Sequence, residues 1–328
     1  RQIRRDREQG ATATFRGAIV ISHGFTEFAE KYDELVWYFL LAGYSVCVLE
    51  HRGHGKSARD VDNRCMVWID DWQRYVADLA GFAETIGQQY AAGMPLNLFC
   101  HSMGGGIGAA VMEHYPSLFD KAVLSAPMIA PVVGMPTWIA RIATGALCGL
   151  GFGKARVFGH TDFSPELDLD EHKGASEARV RWFHKQRVDD VACQTNAATF
   201  EWAHQAMALS RAVLKPDMCG AIETPTLLFQ AGRDVWVLNG PQDDFVERVR
   251  EGGGSIEKYG TASRCTRSSP CRTRWSDRMW TRFSTSSARP RTVCERLPLQ
   301  ACTVCDERTV KGKEPQWRKK RSNARRKT

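Results

Sequence analysis

Compact apolar runs alternate with longer amphipathic stretches along the first four fifths of the chain. The runs predict strands at 17–22, 44–49, 95–100, 121–125, 224–230 and 255–259, and the stretches predict helices at 32–41, 68–90 and 104–114. Because the strand runs show no alternation of apolar and polar positions, they are typical of a parallel sheet covered on both faces. Strand–helix alternation then implies right-handed crossovers. We therefore predict an α/β fold with a doubly wound, mostly parallel sheet.

The alternation stops between two of the predicted core strands. Residues 131–221 contain helical and loop patterns, which we interpret as a helical cap inserted beside the carboxyl ends of the strands. The predicted organisation is an N-terminal extension at 1–15, a first part of the core at 16–130, the cap at 131–221, a second part of the core at 222–260, and a tail at 261–328.

The tail differs from the rest of the chain in charge and composition. Residues 1–260 hold 26 Lys/Arg and 32 Asp/Glu, net −6, whereas residues 261–328 hold 19 and 5, net +14. The tail has only six Ile, Leu, Val or Phe against seventeen Ser or Thr, so we expect it to be disordered. Its basic clusters at 318–321 and 325–327 could bind nucleic acid or an anionic membrane. Such a binding protein is the least favoured of the functions considered, and we expect no specific nucleic-acid partner.

Cysteine usage indicates the compartment. The eleven cysteines are mostly scattered singly among apolar neighbours, which is typical of free thiols in a reducing environment. No run approaches the length of a membrane-spanning helix. We predict a cytoplasmic protein, with the apolar cap surface near 132–150 as a candidate for peripheral membrane contact. We expect no cofactor and no metal ion, since Cys302 and Cys305 have no second pair and no histidine after them.

A serine on a predicted strand-to-helix turn is the candidate nucleophile. Residues 99–106 read Phe-Cys-His-Ser-Met-Gly-Gly-Gly, so Ser102 follows an apolar strand and precedes a glycine-rich helix start. Such a turn projects the hydroxyl above the strand ends and requires small neighbours. Cys100 stands where the usual G-x-S-x-G pattern has its first glycine, and it is still small. The alternative is a tight turn with an incidental serine.

Two backbone N–H groups and one carboxylate complete the site predicted from the residues. Phe25, after the strand that ends at residue 22, and Met103, after the nucleophile, are the candidate oxyanion-hole donors. We interpret His23 as a structural residue that holds this loop. Asp234 follows a late strand, where the chain order Ser…Asp…His places the orienting acid. Its alternative role is a helix N-cap.

Several separate blocks resemble one family. Residues 23–35, 50–57, 101–105, 125–128 and 227–234 are similar to the α/β-hydrolase family of lysophospholipases and monoacylglycerol lipases, and the cap looks most like the bacterial lysophospholipase branch. The resemblance covers about residues 15–259. It implies a serine hydrolase that cleaves the ester of a single-chain acyl lipid, with Ser102 attacking the carbonyl, Phe25 and Met103 holding the oxyanion, Asp234 orienting a histidine, and the cap covering the acyl chain.

The family pattern fails where its catalytic histidine belongs. That histidine should lie near Ala262–Cys265, but all nine histidines lie at or before His204. The resemblance to the family and the strand-and-helix hydrophobic pattern end at the same place, so we hypothesise a reading-frame change near 259–263. We expect His101 to point away from the site, and a histidine of the cap to be a conceivable substitute. The prediction is a serine ester hydrolase impaired by the missing histidine, and the alternative is a catalytically dead lipid-binding relative.

Overall fold

A seven-stranded sheet positions the candidate site. In this computed structural model, residues 2–3, 14–172, 175–232 and 234–261 are described. They contain β1 (Gln2–Ile3), β2 (Gly17–Ser22), β3 (Tyr44–Leu49), β4 (Met66–Val67), β5 (Leu96–His101), β6 (Lys121–Ser125), β7 (Ala197–Ala198), β8 (Thr226–Ala231) and β9 (Ile256–Thr261). The sheet order is β1-β3-β2-β5-β6-β8-β9, and β4 pairs with β7 in a separate small sheet. Among the strands of this sheet that the structure describes, only the β1–β3 pair is antiparallel.

The burial of the strands confirms a sheet covered on both faces. All six residues of β2 are buried, although their side chains point alternately to opposite faces. β5 is buried at its first five positions and β6 at its last four. The predicted strands agree with the observed strands within two residues at each end. The mostly parallel α/β architecture predicted from the sequence is therefore confirmed.

Helices lie between the strands and in the segment inserted after β6. They are α1 (Asp33–Leu41), α2 (Gln73–Phe82), α3 (Gln88–Ala91), α4 (Met103–His114), α5 (Thr137–Leu147), α6 (Glu177–Asp189), α7 (Phe200–Val213), α8 (Pro216–Gly220) and α9 (Asn239–Glu251). A π-helical turn at Ala83–Gly87 joins α2 to α3, and another at Cys148–Phe152 extends α5. Short 3₁₀ turns lie at Ala29–Tyr32, Asp170–His172 and Val191–Cys193.

The prediction of a helix over 68–90 was wrong at its start. The helix begins at Gln73, because the chain before it is extended where β4 pairs with β7. The Thr199 N–H and hydroxyl both donate to the Val67 carbonyl, at 3.1 and 2.8 Å. The partner strand lies about 130 residues away, so the local pattern could not reveal the pairing.

The inserted segment contains α5 to α8. Helix α7 packs against both α5 and α4, and therefore connects the inserted segment to the core. No described helix is long and apolar enough to cross a membrane. Most of the predicted N-terminal extension, and all of 262–328 with Ala262–Cys265, the Cys302/Cys305 pair and the basic clusters, lie outside the described residues.

Candidate active site

Ser102 lies on a strained turn between β5 and α4. Its φ is 51° and its ψ is −118°, a backbone conformation in the positive-φ region that residues other than glycine rarely adopt. Such a conformation costs roughly 1–3 kcal/mol and persists only where the surroundings enforce it. Here the Ser102 N–H donates to the Ser125 carbonyl at 3.1 Å, and the Ser102 carbonyl accepts from Met128 N–H at 2.7 Å. The turn is therefore fixed by the last residue of β6 and by the loop that follows it.

Close packing explains the glycines that follow the serine. A Cβ on Gly104 would lie 2.2 Å from the Ser22 carbonyl oxygen, and one on Gly105 would lie 2.5 Å from Pro127. A Cβ on Gly108 would lie 2.4 Å from the sulfur of Cys100. The thiol of Cys100 thus occupies the space that Gly108 leaves open, which is how this turn accommodates a residue larger than glycine at that position.

The Met103 N–H has a fixed direction. It belongs to the same peptide as the Ser102 carbonyl, which accepts from Gly105 N–H at 2.8 Å as well as from Met128. Because a trans peptide is planar, its C=O and N–H point in opposite directions. The Met103 N–H has no hydrogen-bond partner within the described ranges. It lies at the N-terminus of α4, where the helix dipole favours negative charge.

The Phe25 N–H is held in the same way. The carbonyl of its peptide, Gly24 C=O, accepts from His23 Nδ1 at 2.8 Å and from Glu27 N–H at 3.3 Å. The Phe25 N–H itself has no hydrogen-bond partner in the part of the chain that the structure describes. Both predicted oxyanion donors are therefore free to bind an acceptor.

His23 belongs to a fully buried group of three histidines behind this loop. Its Nε2 accepts from His51 N–H at 3.0 Å, and its ring lies 4.9 Å from that of His51 and 5.3 Å from that of His54, centroid to centroid. Burial lowers the pKa of all three rings. His23 therefore holds the loop as a neutral ring, in agreement with the structural role expected from the sequence.

A cavity of about 510 Å³ brings the predicted residues together. Ser102, Phe25 and Asp234 all line it, and its size lies within the range of small-molecule sites. The remaining wall is largely apolar and comes from the inserted segment and the loop after β8, including Val132, Met135, Leu147, Trp202, Met207 and Trp236.

Asp234 closes a turn beyond β8. Its Oδ1 accepts from Trp236 N–H at 2.8 Å and from Val237 N–H at 3.1 Å. Helix α9 begins five residues later and its N-cap is Leu238, so the alternative role as a helix cap was wrong. No described residue makes a hydrogen bond to Oδ2, which leaves this oxygen available to a further donor.

His101 lines the cavity, and the expectation that it points away from the site was wrong. Its Nδ1 lies 3.1 Å from the Ser125 carbonyl oxygen, and its Nε2 lies 3.4 Å from Glu27 Oε1. Burial lowers the pKa of this ring. Since both ring nitrogens face other groups, His101 has no free nitrogen for the Ser102 hydroxyl.

Three histidines of the inserted segment each use one ring nitrogen in a contact away from the serine. His160 lines the cavity, but its Nδ1 accepts from Ala198 N–H at 3.0 Å. His204 Nδ1 lies 3.0 Å from Thr144 Oγ1, and His184 Nε2 donates to the Pro165 carbonyl at 2.8 Å. Within the described ranges, no histidine is hydrogen-bonded to Ser102.

Sequence reasoning missed Glu27, whose carboxylate lies in this cavity wall. It accepts from the Gly24 N–H at 2.7 Å and from the Tyr32 hydroxyl at 2.6 Å. Its position four residues after His23 was part of the recognised block, but nothing in the local pattern distinguishes its carboxylate from those of the surface glutamates nearby.

The fold and the site define an α/β-hydrolase: a mostly parallel sheet, a strained serine turn at the end of a central strand, and an apolar cavity above it. The family described as serine aminopeptidase, S33 (Hydrolase_4) matches residues 13–262, and the chain belongs to it, within the α/β-hydrolases that include lysophospholipases and monoacylglycerol lipases. The resemblance stated from the motifs is confirmed.

Relatives with sequence similarity carry lipase names. Lysophospholipase L2 of Escherichia coli strain K12 is 28% identical over 253 residues, which cover 73% of this chain and 70% of the relative. Monoglyceride lipase of Mus musculus is 34% identical over 120 residues, which cover 36% of this chain and 37% of that enzyme.

Solved structures support the fold. A soluble variant of monoglyceride lipase from Saccharomyces cerevisiae, in complex with a substrate analogue, has a TM-score of 0.60 and 20% identity, and the match covers 82% of this chain and 85% of that one. The monoacylglycerol lipase of Paleococcus ferrophilus has a TM-score of 0.58 and 18% identity, with 82% and 94% covered.

Proposed function

We propose that the protein is a serine carboxylic-ester hydrolase that acts on single-chain acyl lipids, as a lysophospholipase or a monoacylglycerol lipase. The observation that carries the proposal is the strained Ser102 at the wall of an apolar cavity that Asp234 also lines. An apolar cavity suits an acyl chain, and the names of the relatives support this substrate class.

In the proposed reaction, Ser102 Oγ attacks the ester carbonyl and its proton passes to a base. The negative charge that develops on the carbonyl oxygen is stabilised by the N–H groups of Phe25 and Met103. The alcohol then leaves with a proton, and water hydrolyses the acyl-enzyme by the same steps in reverse. Asp234 Oδ2 orients the base.

The catalytic base is the member of the proposed triad for which this chain offers no residue at the expected position. The family places a histidine near Ala262–Cys265, and this sequence has none after His204. Both nitrogens of His101 face other groups, and His160 and His204 each hold Nδ1 in a hydrogen bond away from Ser102, which supports the proposal that no other histidine replaces it. Loss of one member of a catalytic triad lowers the rate by several orders of magnitude, so we propose that the chain is a poor catalyst. Its alternative is a catalytically dead lipid-binding relative.

Ester hydrolysis tests the proposal directly. Turnover of a short-chain ester and of a lysophospholipid by the chain is compared with that of Ser102→Ala, with and without added imidazole. We expect little difference without imidazole and a Ser102-dependent rate with it, because the free base can replace the absent ring. Ser102-dependent turnover without imidazole would contradict the missing-base proposal. No Ser102-dependent turnover in either condition, together with no labelling of Ser102 by a fluorophosphonate, would favour the lipid-binding alternative.

A separate experiment tests why the sequence departs from the family pattern near residue 259. We propose that the reading frame changes at 259–263, because residue types and family pattern change together there. The coding region is sequenced across these codons. A read that matches the present frame removes the explanation of a sequencing error, and a shifted frame that encodes a histidine after β9 supports it.

We further propose that the segment 131–221 is a cap that contacts a lipid surface. Trp138 and Ile142 on α5 are each 65% exposed, and Phe158 is 83% exposed and lines the cavity. Exposed apolar patches of this kind mark interaction sites. Sedimentation with phosphatidylcholine vesicles should fall for Trp138→Ser and Ile142→Ser but stay unchanged for Trp37→Ser, which alters a tryptophan on α1 of similar exposure, 59%. Equal binding by all four proteins would contradict the proposal.

The same proposal assigns residues 16–130 and 222–260 to the hydrolase core and a cytoplasmic location to the protein. The cysteines at 47, 65, 100, 148, 193 and 219 are all free thiols, which supports a reducing compartment.

A further inference from the structure

The loop that carries Phe25 is closed on itself by Glu27. The Gly24 N–H donates to Glu27 Oε2 at 2.7 Å, while the Glu27 N–H donates back to the Gly24 carbonyl at 3.3 Å. Between them, Thr26 has a φ of 59°, a backbone angle that residues other than glycine rarely adopt. The Glu27 carboxylate thus holds the peptide before Gly24, and the Glu27 N–H, with His23 Nδ1, holds the peptide after it.

The orientation of Gly24 determines the direction of the Phe25 N–H. The Gly24 carbonyl and the Phe25 N–H belong to one planar trans peptide, so they point in opposite directions. If this peptide rotated, a carbonyl oxygen would face the cavity in place of a donor, and the oxyanion would meet a negative dipole. The oxyanion hole therefore requires that this peptide stay in place, and the Glu27 carboxylate limits its rotation by holding the adjoining peptide at the Gly24 N–H.

The Glu27 carboxylate is also tied to the nucleophile turn. It is about 4% exposed, it bonds to Tyr32 Oη and to Lys31 Nζ, and its Oε1 lies 3.4 Å from His101 Nε2. His101 in turn faces Ser125, whose carbonyl accepts from the Ser102 N–H. One buried carboxylate therefore connects the two backbone segments that supply the two oxyanion donors.

The network keeps this carboxylate ionised. Burial by itself would raise the pKa of Glu27, but the charge of Lys31, the His101 ring and the hydrogen bonds from Lys31 and Tyr32 outweigh burial and lower it to about 2. If the Glu27 carboxylate were removed, each of its hydrogen-bond donors would lose its acceptor in a buried site. Such a loss is costly, so this carboxylate acts as a fixed acceptor.

We propose that Glu27 is a positioning residue of the oxyanion hole, whose carboxylate fixes the Phe25 N–H relative to Ser102. This inference rests on the proposed function, because it takes Ser102 as the nucleophile and Phe25 as a donor. It goes beyond that function by assigning the geometry of the hole to a side chain that takes no part in the proton transfers.

The test uses a probe that needs no catalytic base. Octylboronic acid reacts reversibly with an accessible serine: boron accepts an electron pair from Ser102 Oγ, the hydroxyl proton passes to solvent, and the tetrahedral boronate places an oxygen where the oxyanion would form. Its Kd is measured by calorimetry for the full chain and for the variants Ser102→Ala, Glu27→Gln and Glu34→Gln. Glu34→Gln is the matched control, because Glu34 pairs with Arg179 at the exposed surface of α1.

We expect Glu27→Gln to weaken boronate binding about tenfold or more, since complete loss of one oxyanion donor lowers the rate about 10²–10³-fold in related sites. Glu34→Gln should bind as the unaltered chain does. If Glu27→Gln does not fold, as judged by circular dichroism, Glu27→Asp replaces it: this variant keeps the charge but is too short to reach the Gly24 N–H, and the same loss is expected.

Two results would overturn the inference, and they are distinguishable. A folded Glu27 variant that melts at a lower temperature but keeps the Kd of the unaltered chain would mean that Glu27 has only a structural role. Binding by the unaltered chain that is no tighter than by Ser102→Ala would mean that Ser102 is not a reactive nucleophile, which removes the proposed function and the Glu27 inference with it.

Discussion

Glu113 provides the sharpest prediction for stability. This residue lies near the end of α4 and is about 5% exposed, and its Oε1 has no hydrogen-bond partner among the described residues. Burial, with a smaller contribution from the charge of Asp217 and against that of Lys215, raises the pKa of the carboxyl from 4.5 to about 8. Glu113 is therefore protonated in the folded protein at neutral pH and ionised in the unfolded chain.

The sign and size of the effect follow from proton linkage. Because the folded pKa is the higher one, the contribution of Glu113 to stability is fully present below about pH 4.5 and is lost as pH rises through about 8. One pKa unit corresponds to about 1.4 kcal/mol, so the loss approaches about 5 kcal/mol above pH 8 as an upper bound. Glu113→Gln cannot ionise and avoids this loss.

Urea unfolding, followed by tryptophan fluorescence at pH 5, 7 and 8.5, measures the difference. We expect Glu113→Gln to match the unaltered chain at pH 5 and to exceed it by a few kcal/mol at pH 8.5. Glu84→Gln, on an exposed position of the π-helical turn after α2, is the control and should show no such trend. A difference between Glu113→Gln and the unaltered chain that does not change with pH would refute the reasoning.

Three further predictions concern the site and its surroundings. Gly108→Ala should destabilise the fold by about 1–3 kcal/mol because its Cβ would meet the Cys100 sulfur, and Cys100→Gly should restore part of that loss, as a double-mutant cycle in urea will show; additive effects would contradict the packing argument. The free energy of unfolding should fall as pH drops below about 6.5, by up to about 1.4 kcal/mol per pH unit for each of His23, His51 and His54. The reason is that their pKa values are lowered in the folded protein, so the unfolded chain binds the extra protons. A melting temperature of Glu113→Gln that stays constant from pH 7 to 5.5 would refute this. Asp234→Ala should lower the melting temperature, because it leaves the Trp236 and Val237 N–H groups without their acceptor, at a cost of about 1–3 kcal/mol, and it should abolish the imidazole-dependent rate; an unchanged rate would contradict the proposed role of the acid.

The sequence by itself determined the sheet and the chemical residue types of the site. Strands such as β2 are apolar at every position because both of their faces are buried, and this pattern is visible without any partner. Ser102, Asp234 and the Phe25 loop could be placed from the sequence because each follows a strand, and the carboxyl ends of parallel strands meet at one edge of a sheet. The absence of a histidine after His204 in this sequence can likewise be read without the structure.

Tertiary structure decided whatever depends on partners distant in the chain. The start of α2 moved because β4 pairs with β7, the fit of Cys100 depends on the space at Gly108, and His101 faces the cavity because Glu27 and Ser125 hold its two nitrogens. The role inferred for Glu27 also appears only in three dimensions. Hydrogen bonds and close packing join residues by distance in space, and a local sequence pattern carries no information about such distances.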